Sequence, residues 1–159
     1  MKGDRGATMD LASLAKPQLI FPDFEAKSRD GALRALTERI CRILGLADPD
    51  VVLSALRERE ELGSTALGDG LAVPHGRIRG LRDIVLAVAV SRRGVDYGAE
   101  DGRPVRVFFV LLSPQESAGR HLKALAAVSE WMNRAGRERL LKARKPQEIY
   151  ELLCANGRV

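Results

Sequence analysis

Both histidines of the chain, His75 and His121, and one arginine, Arg59, fall where the hydrophobic pattern calls for another residue type. Arg59 continues an apolar helical stripe formed by Val52, Ala55 and Leu56, one step further along the same face. His121 opens a second stripe that runs on through Leu125, Val128 and Met132 at helical steps. His75 sits between Pro74 and Gly76 at the end of a short apolar run, residues 71–75, that reads as a strand. A strand end, a helix end and a helix start can converge at one edge of an α/β sheet, where binding sites commonly form. Taken singly, each residue has a more common structural use: a packed loop histidine, an arginine reaching out to water, a surface or capping histidine. Taken together they suit phosphoryl chemistry. A neutral imidazole is a nucleophile. A guanidinium stays charged and clamps phosphate oxygens in a fork. Phosphoryl transfer asks mainly for positioning and charge stabilisation.

Other chemistries fit less well. Two histidines far apart in sequence, without cysteine partners, make a poor zinc set even if Asp69 adds a carboxylate. Ser64 lies in "GST", not in a GxSxG nucleophile elbow. The run "GSTALGDG", residues 63–70, has neither the GK[ST] ending of a P-loop nor GxGxxG spacing, so its glycines read as permitting a tight turn. No metal and no cofactor is expected. The basic run at residues 133–145 reads as a solvated helix face, with a docking surface for an acidic protein as the alternative.

The elements that must position these residues are legible from caps and periodicity. A first helix follows Ser28 or Asp30, carries Leu33, Leu36, Ile40, Ile43 and Leu44 inward, and ends at Gly45. A second starts with Asp48 as N-cap and Pro49 in its first position. Residues 83–90 and 105–114 read as apolar strands covered on both faces. Between them, "SRRGVDYGAEDGRPVR" reads as a polar connection turning at Asp101-Gly102. The His121 helix and two closing helices follow, the last with Pro146 near its start and Gly157 after its end. Residues 1–10 are expected as a loose tail, and 17–24 as an extended piece. The pattern predicts one α/β domain over residues 1–159, a mixed β-sheet with helices on both faces.

Composition narrows the function class. The balance of 45% hydrophobic and 30% charged residues is that of a soluble globular chain. A net charge of +5 suggests mild attraction to acidic partners, but 4% aromatics offer no stacking platform, so nucleic acid is not expected. The apolar runs are far shorter than the about 20 residues a membrane helix needs, and no secretory apolar segment follows the N-terminal charges. The expected setting is cytoplasmic, without membrane insertion. Cys41 and Cys154 read as reduced thiols of the core, with a disulfide between them as the less favoured alternative.

The stretch "REELGSTALGDGLAVPHGRI", anchored upstream by Arg59, resembles the active-site segment of the fructose/mannitol-type (type 2) enzyme IIA domains of the bacterial phosphotransferase system. The similarity extends to "AKSRDGALRALTERI" upstream and "LLSPQESAGRHLKAL" downstream, and the phrase "GSTALGDGLAVPHG" is most similar to the nitrogen-regulatory branch. The resemblance implies the enzyme IIA sandwich fold and a transferase component with a phosphohistidine intermediate. It implies that His75 accepts phosphate from the phosphocarrier protein HPr, with Arg59 and His121 as its partners. On that basis Ser64 and Thr65, with nearby backbone N–H groups, are expected to support the phosphoryl group. The onward partner is either a set of regulatory target proteins or, alternatively, a sugar-specific IIB component serving carbohydrate uptake. Asp69 stands where the family commonly has asparagine, and is expected to bring a negative charge near the site.

Overall fold

The computed structural model describes residues 9–46, 48–133 and 136–155. In chain order these form α1 (Leu11–Leu14), β1 (Ala15–Phe21), α2 (Arg29–Leu44), α3 (Pro49–Leu62), β2 (Ala66–Gly68), β3 (Leu71–Ala72), β4 (His75–Ile78), β5 (Val85–Val95), β6 (Val105–Pro114), α4 (Ala118–Met132), α5 (Gly136–Lys142) and α6 (Pro146–Cys154). The six strands make one mixed sheet in the order β1-β5-β6-β3-β2, with β4 also paired to β6. The β5–β6 pair is an antiparallel hairpin, whereas β1, β3 and β4 each join the sheet in parallel.

The side chains of β5 and β6 alternate between two cores, as a period of two demands. Leu86, Val88 and Val90, with Val107, Phe109 and Leu111, face a core closed by α1, α4, α5 and α6. Ala87 and Ala89, with Phe108, Val110 and Leu112, face a second core closed by α2 and α3. The predicted α/β sandwich is therefore the observed one, and α3 and α4 approach the sheet from opposite sides.

The capping signals hold. Ser28 Oγ caps α2 at the Gly31 amide, Gly45 ends it in the left-handed region, and Asp48 caps α3 with Pro49 in its first turn. Four expectations change. Ile43 is exposed, and Cys41 takes the inward place near the end of α2. Cys154 is not a core thiol: the inward face of α6 is Ile149, Leu152 and Leu153, and the next residue turns to solvent. Both cysteines are free, with Cys41 buried. The strand β5 runs on through residues 91–95, expected as connection, because a register shift between Val90 and Val95 lets Val95 pair again with Val105. Within that extension Arg92 donates to the carbonyls of Leu141 and Ala143, tying the end of α5 to the sheet. The described part of the basic run is α5, which buries Leu140. Met9 and Asp10 are not loose: Asp10 caps α1, and Met9 packs on the core. Residues 1–8 and Gly157 lie outside the described residues.

Phe108 lies fully buried at the centre of the sheet, in edge contacts with the rings of Phe24 and Tyr97. Phe108→Ala is expected to lower the unfolding free energy by about 3–5 kcal/mol, measured by denaturant titration.

Candidate functional site

The strand expected over residues 71–75 is broken in two. β3 ends at Ala72, the ladder is interrupted at Val73-Pro74, and His75 opens β4 rather than closing a strand. Both pieces stay on the same edge of β6, with Leu71 in register with Val107 and His75 with Leu111, and the Pro74 carbonyl accepts from Leu111 N–H across the break. Proline suits the break because it has no N–H to leave unpaired. β2 pairs only with β3 in the sheet order, so β4 is left as an edge and His75 is half-buried there.

Helix α3 packs closely against this edge. A Cβ on Gly76 would lie 3.3 Å from the Ala55 Cβ, tighter than packed side chains normally sit, so glycine lets β4 approach the helix this far without either element giving way. That approach brings Arg59, in the last turn of α3, to His75. Arg59 Nε donates to His75 Nε2 at 3.1 Å, and Arg59 Nη1 donates to the Gly63 carbonyl at 2.8 Å. Gly63 ends the helix at φ +153°, a conformation that favours glycine and aims that carbonyl back at Arg59. The other imidazole nitrogen, His75 Nδ1, lies 2.7 Å from the Val73 carbonyl. A carbonyl only accepts, so Nδ1 carries the hydrogen and Nε2 presents its lone pair to Arg59.

His121 comes from the opposite side of the sheet, in the first turns of α4, with its ring centroid 5.5 Å from that of His75. It is buried, and its Nδ1 shares a 2.6 Å hydrogen bond with the hydroxyl of Ser113 on β6. The three residues singled out by periodicity are thus brought together at one sheet edge. Burial, opposed by the Val73 hydrogen bond and reinforced by the Arg59 charge, lowers the pKa of His75 below the ordinary imidazole value. Burial, with the neighbouring His75 and Arg77, lowers that of His121 to about 4. Both rings are therefore neutral at pH 7.

The remaining expectations divide. Ser64 is exposed and its hydroxyl accepts from Ala66 N–H, whereas Thr65 is buried with its hydroxyl on Glu60. Of the nearby backbone N–H groups, that of Gly63 binds the Glu60 carbonyl and that of Thr65 the Glu60 carboxylate. Asp69 is not beside the histidines. It occupies the tip of the β2–β3 turn at φ +56°, paired with Arg103 at 3.1 Å and Arg137 at 4.0 Å. Leu71 to His75 spans four residues of β6 register, about 13 Å of strand, and Asp69 lies beyond Leu71. Spacing in sequence misled here because a hairpin carries its tip away from its base.

Three residues went unread. Ser113 is the polar end of the otherwise apolar run 107–112. Tyr97 sits buried inside the segment taken as polar connection. Glu60 follows Leu53 and Leu56 at helical spacing on the inward face of α3, a signal as strong as the one that picked out Arg59. Among the described residues no helix is long and apolar enough to cross a membrane, and no group of three His, Cys, Asp or Glu side chains is placed to hold a metal ion.

Residues 13–156 match the family model described as phosphoenolpyruvate-dependent sugar phosphotransferase system, EIIA 2. The chain is 34% identical to a nitrogen regulatory protein of Bradyrhizobium diazoefficiens, over 92% of this chain and 95% of that protein. It is 30% identical to the fructose-specific EIIA component of a phosphotransferase system in Haloferax volcanii, over 91% and 95%. The crystal structure of the nitrogen regulatory protein IIA-Ntr from Neisseria meningitidis superposes with a TM-score of 0.81 at 30% identity, covering 90% of this chain and 98% of that one.

The depressed histidines give a pH dependence whose sign is fixed. The unfolded chain takes up a proton on His121 near pH 6.5, the folded chain only near pH 4. Between these values unfolding binds a proton, so stability is complete above about pH 6.5 and is lost as pH falls toward 4. Denaturant titrations from pH 7 to 4.5 are expected to show a steeper loss in the wild type than in His121→Asn. Distant carboxylates contribute to both proteins and drop out of the difference, which carries His121 together with its coupling to His75.

Proposed function

Because the chain belongs to the EIIA type 2 family of the phosphoenolpyruvate-dependent sugar phosphotransferase system, we propose that it is a phosphoryl carrier that takes phosphate onto His75 from phospho-HPr and controls target proteins through its phosphorylation state. The observation that carries this reading is the pair of hydrogen bonds on the His75 ring, Nδ1–H to Val73 and Nε2 to Arg59. They leave Nε2 as the unprotonated nitrogen, its electron pair held by a guanidinium that can pass to an incoming phosphoryl group.

In the proposed step the Nε2 lone pair attacks the phosphorus of the phosphohistidine on HPr. The old P–N bond breaks and its electron pair stays on the donor imidazole, which takes up a proton from water, while His75 keeps its Nδ1–H on the Val73 carbonyl and its ring carries the positive charge. Arg59 moves its N–H groups from Nε2 to the equatorial oxygens, where negative charge is held in the transition state. With the Ser113 hydroxyl donating to Nδ1 of His121, the His121 Nε2–H is a second donor for those oxygens. The Ser64 hydroxyl and its backbone N–H lie on the same loop as further donors, whereas the Thr65 hydroxyl is engaged by Glu60. A protein donor suits the surroundings: Leu62, next to Gly63, is 84% exposed, and Leu122, next to His121, 66%. Apolar side chains left in water beside a reactive edge favour docking of a partner surface.

The regulatory role is favoured by the nitrogen regulatory relative, and the fructose-specific relative supports a second reading, relay to a IIB component. The two are separated by asking whether the phosphorylated chain passes its phosphate to a IIB domain or instead changes its affinity for other proteins.

Incubation with phosphoenolpyruvate, enzyme I and HPr, followed by intact mass, is expected to add one acid-labile phosphate to the wild type and none to His75→Ala. Arg59→Ala is expected to slow uptake by about a hundredfold. Uptake by His75→Ala overturns the assignment.

A further inference from the structure

Glu60 takes no part in the chemistry just described, yet it is a carboxylate only 7% exposed, one residue from Arg59. Three donors converge on it. Thr65 N–H donates to Oε1 at 3.2 Å, the Thr65 hydroxyl donates to Oε2, and the Tyr97 hydroxyl donates to Oε2 at 2.7 Å. Tyr97 is itself only 1% exposed, and burial, with the nearby Glu60 carboxylate, pushes its phenol pKa up, so it stays a donor. An apolar residue at this inward position would fill the same space without the desolvation cost of a buried carboxylate. Stability alone is a weak reason for an acid here.

What Thr65 touches supplies a better one. Its carbonyl accepts from Val73 N–H at 2.9 Å, and the Val73 carbonyl is the group that accepts from His75 Nδ1–H. Two residues before Thr65, the Gly63 carbonyl receives Arg59 Nη1 at 2.8 Å, while Arg59 Nε holds His75 Nε2. Both partners of the His75 ring are thus set by the backbone between Gly63 and Val73, and the side chain that fastens its near end, at Thr65, is Glu60. The geometry points to Glu60 as a positioning residue for phosphoryl transfer: by fastening Thr65 it fixes the Val73 carbonyl that selects the His75 tautomer and the Gly63 carbonyl that aims Arg59. Tyr97 completes the anchor from the connection between β5 and β6. This rests on the phosphoryl-acceptor reading of His75.

Glu60→Gln keeps the shape but replaces one acceptor oxygen by a donor, so either Thr65 N–H loses its acceptor or both hydroxyls must turn round to accept, and in either case the charge-assisted bonds are lost. In single-turnover phosphorylation by phospho-HPr, the rate at saturation is expected to fall about ten- to a hundredfold while the half-saturating donor concentration changes by less than about threefold. In a long-range ¹H–¹⁵N imidazole spectrum, the unphosphorylated wild type is expected to show His75 as one Nδ1–H tautomer and Glu60→Gln a mixture. Thr65→Ser, which keeps the hydroxyl, is expected to behave as wild type, and Thr65→Val as Glu60→Gln. The Thr65 pair decides the matter if Glu60→Gln does not fold. Folded Glu60→Gln or Thr65→Val protein with the wild-type rate and a single tautomer overturns the inference. A wild type that takes up no phosphate overturns the acceptor reading instead, and the tautomer comparison still decides what Glu60 does.

Discussion

The hydrogen bond between His75 Nδ1 and the Val73 carbonyl is the constraint on which the rest of the site depends. An imidazole with both nitrogens free is divided between two tautomers and several ring orientations. One carbonyl, two residues back along the same chain, removes that freedom and leaves Nε2 as the unprotonated nitrogen. The bond forms because Val73 faces away from β6: its N–H goes to the Thr65 carbonyl, and with β4 paired only to β6 the Val73 carbonyl is left for a side chain. The two pieces stay in register on β6 across the break.

Around that fixed ring the protein arranges charge without compensating it. Arg59 carries a full positive charge to within 3.1 Å of a neutral nitrogen, and no carboxylate is hydrogen-bonded to the guanidinium among the described contacts. Its pKa-lowering effect on His75 adds to that of burial, and the same physics holds His121 neutral. The nearby acid, Glu60, is turned away from Arg59 and into the loop that carries Thr65. The positive end of the site is therefore left for an incoming anion, and the one carboxylate close by is committed to holding backbone.

Much of this was legible beforehand. Caps at Ser28, Gly45, Asp48 and Pro49, the two continuous apolar strands and the stripes ending at Arg59 and beginning at His121 all follow from local chemistry, and local chemistry survives folding. The misreadings share a cause. Asp69 looks near His75 in sequence and is carried off by a hairpin. Residues 91–95 look polar, yet a register shift keeps them in the sheet, where Arg92 finds helix carbonyls. Tyr97 and Glu60 are buried because distant elements close over them.

By itself, then, the sequence determined which side chains could do chemistry and on which kind of element each would sit, because periodicity and capping act within one turn or one strand. It also carried the family resemblance that named His75. Only the tertiary structure decided which imidazole nitrogen is presented, that Arg59 and His121 reach His75 from opposite sides of the sheet, and that Glu60 fastens the loop between them. Those facts depend on hydrogen bonds between residues brought together by the packing of α3 against β4 and of α4 against β6, a distance in space that spacing along the chain does not encode.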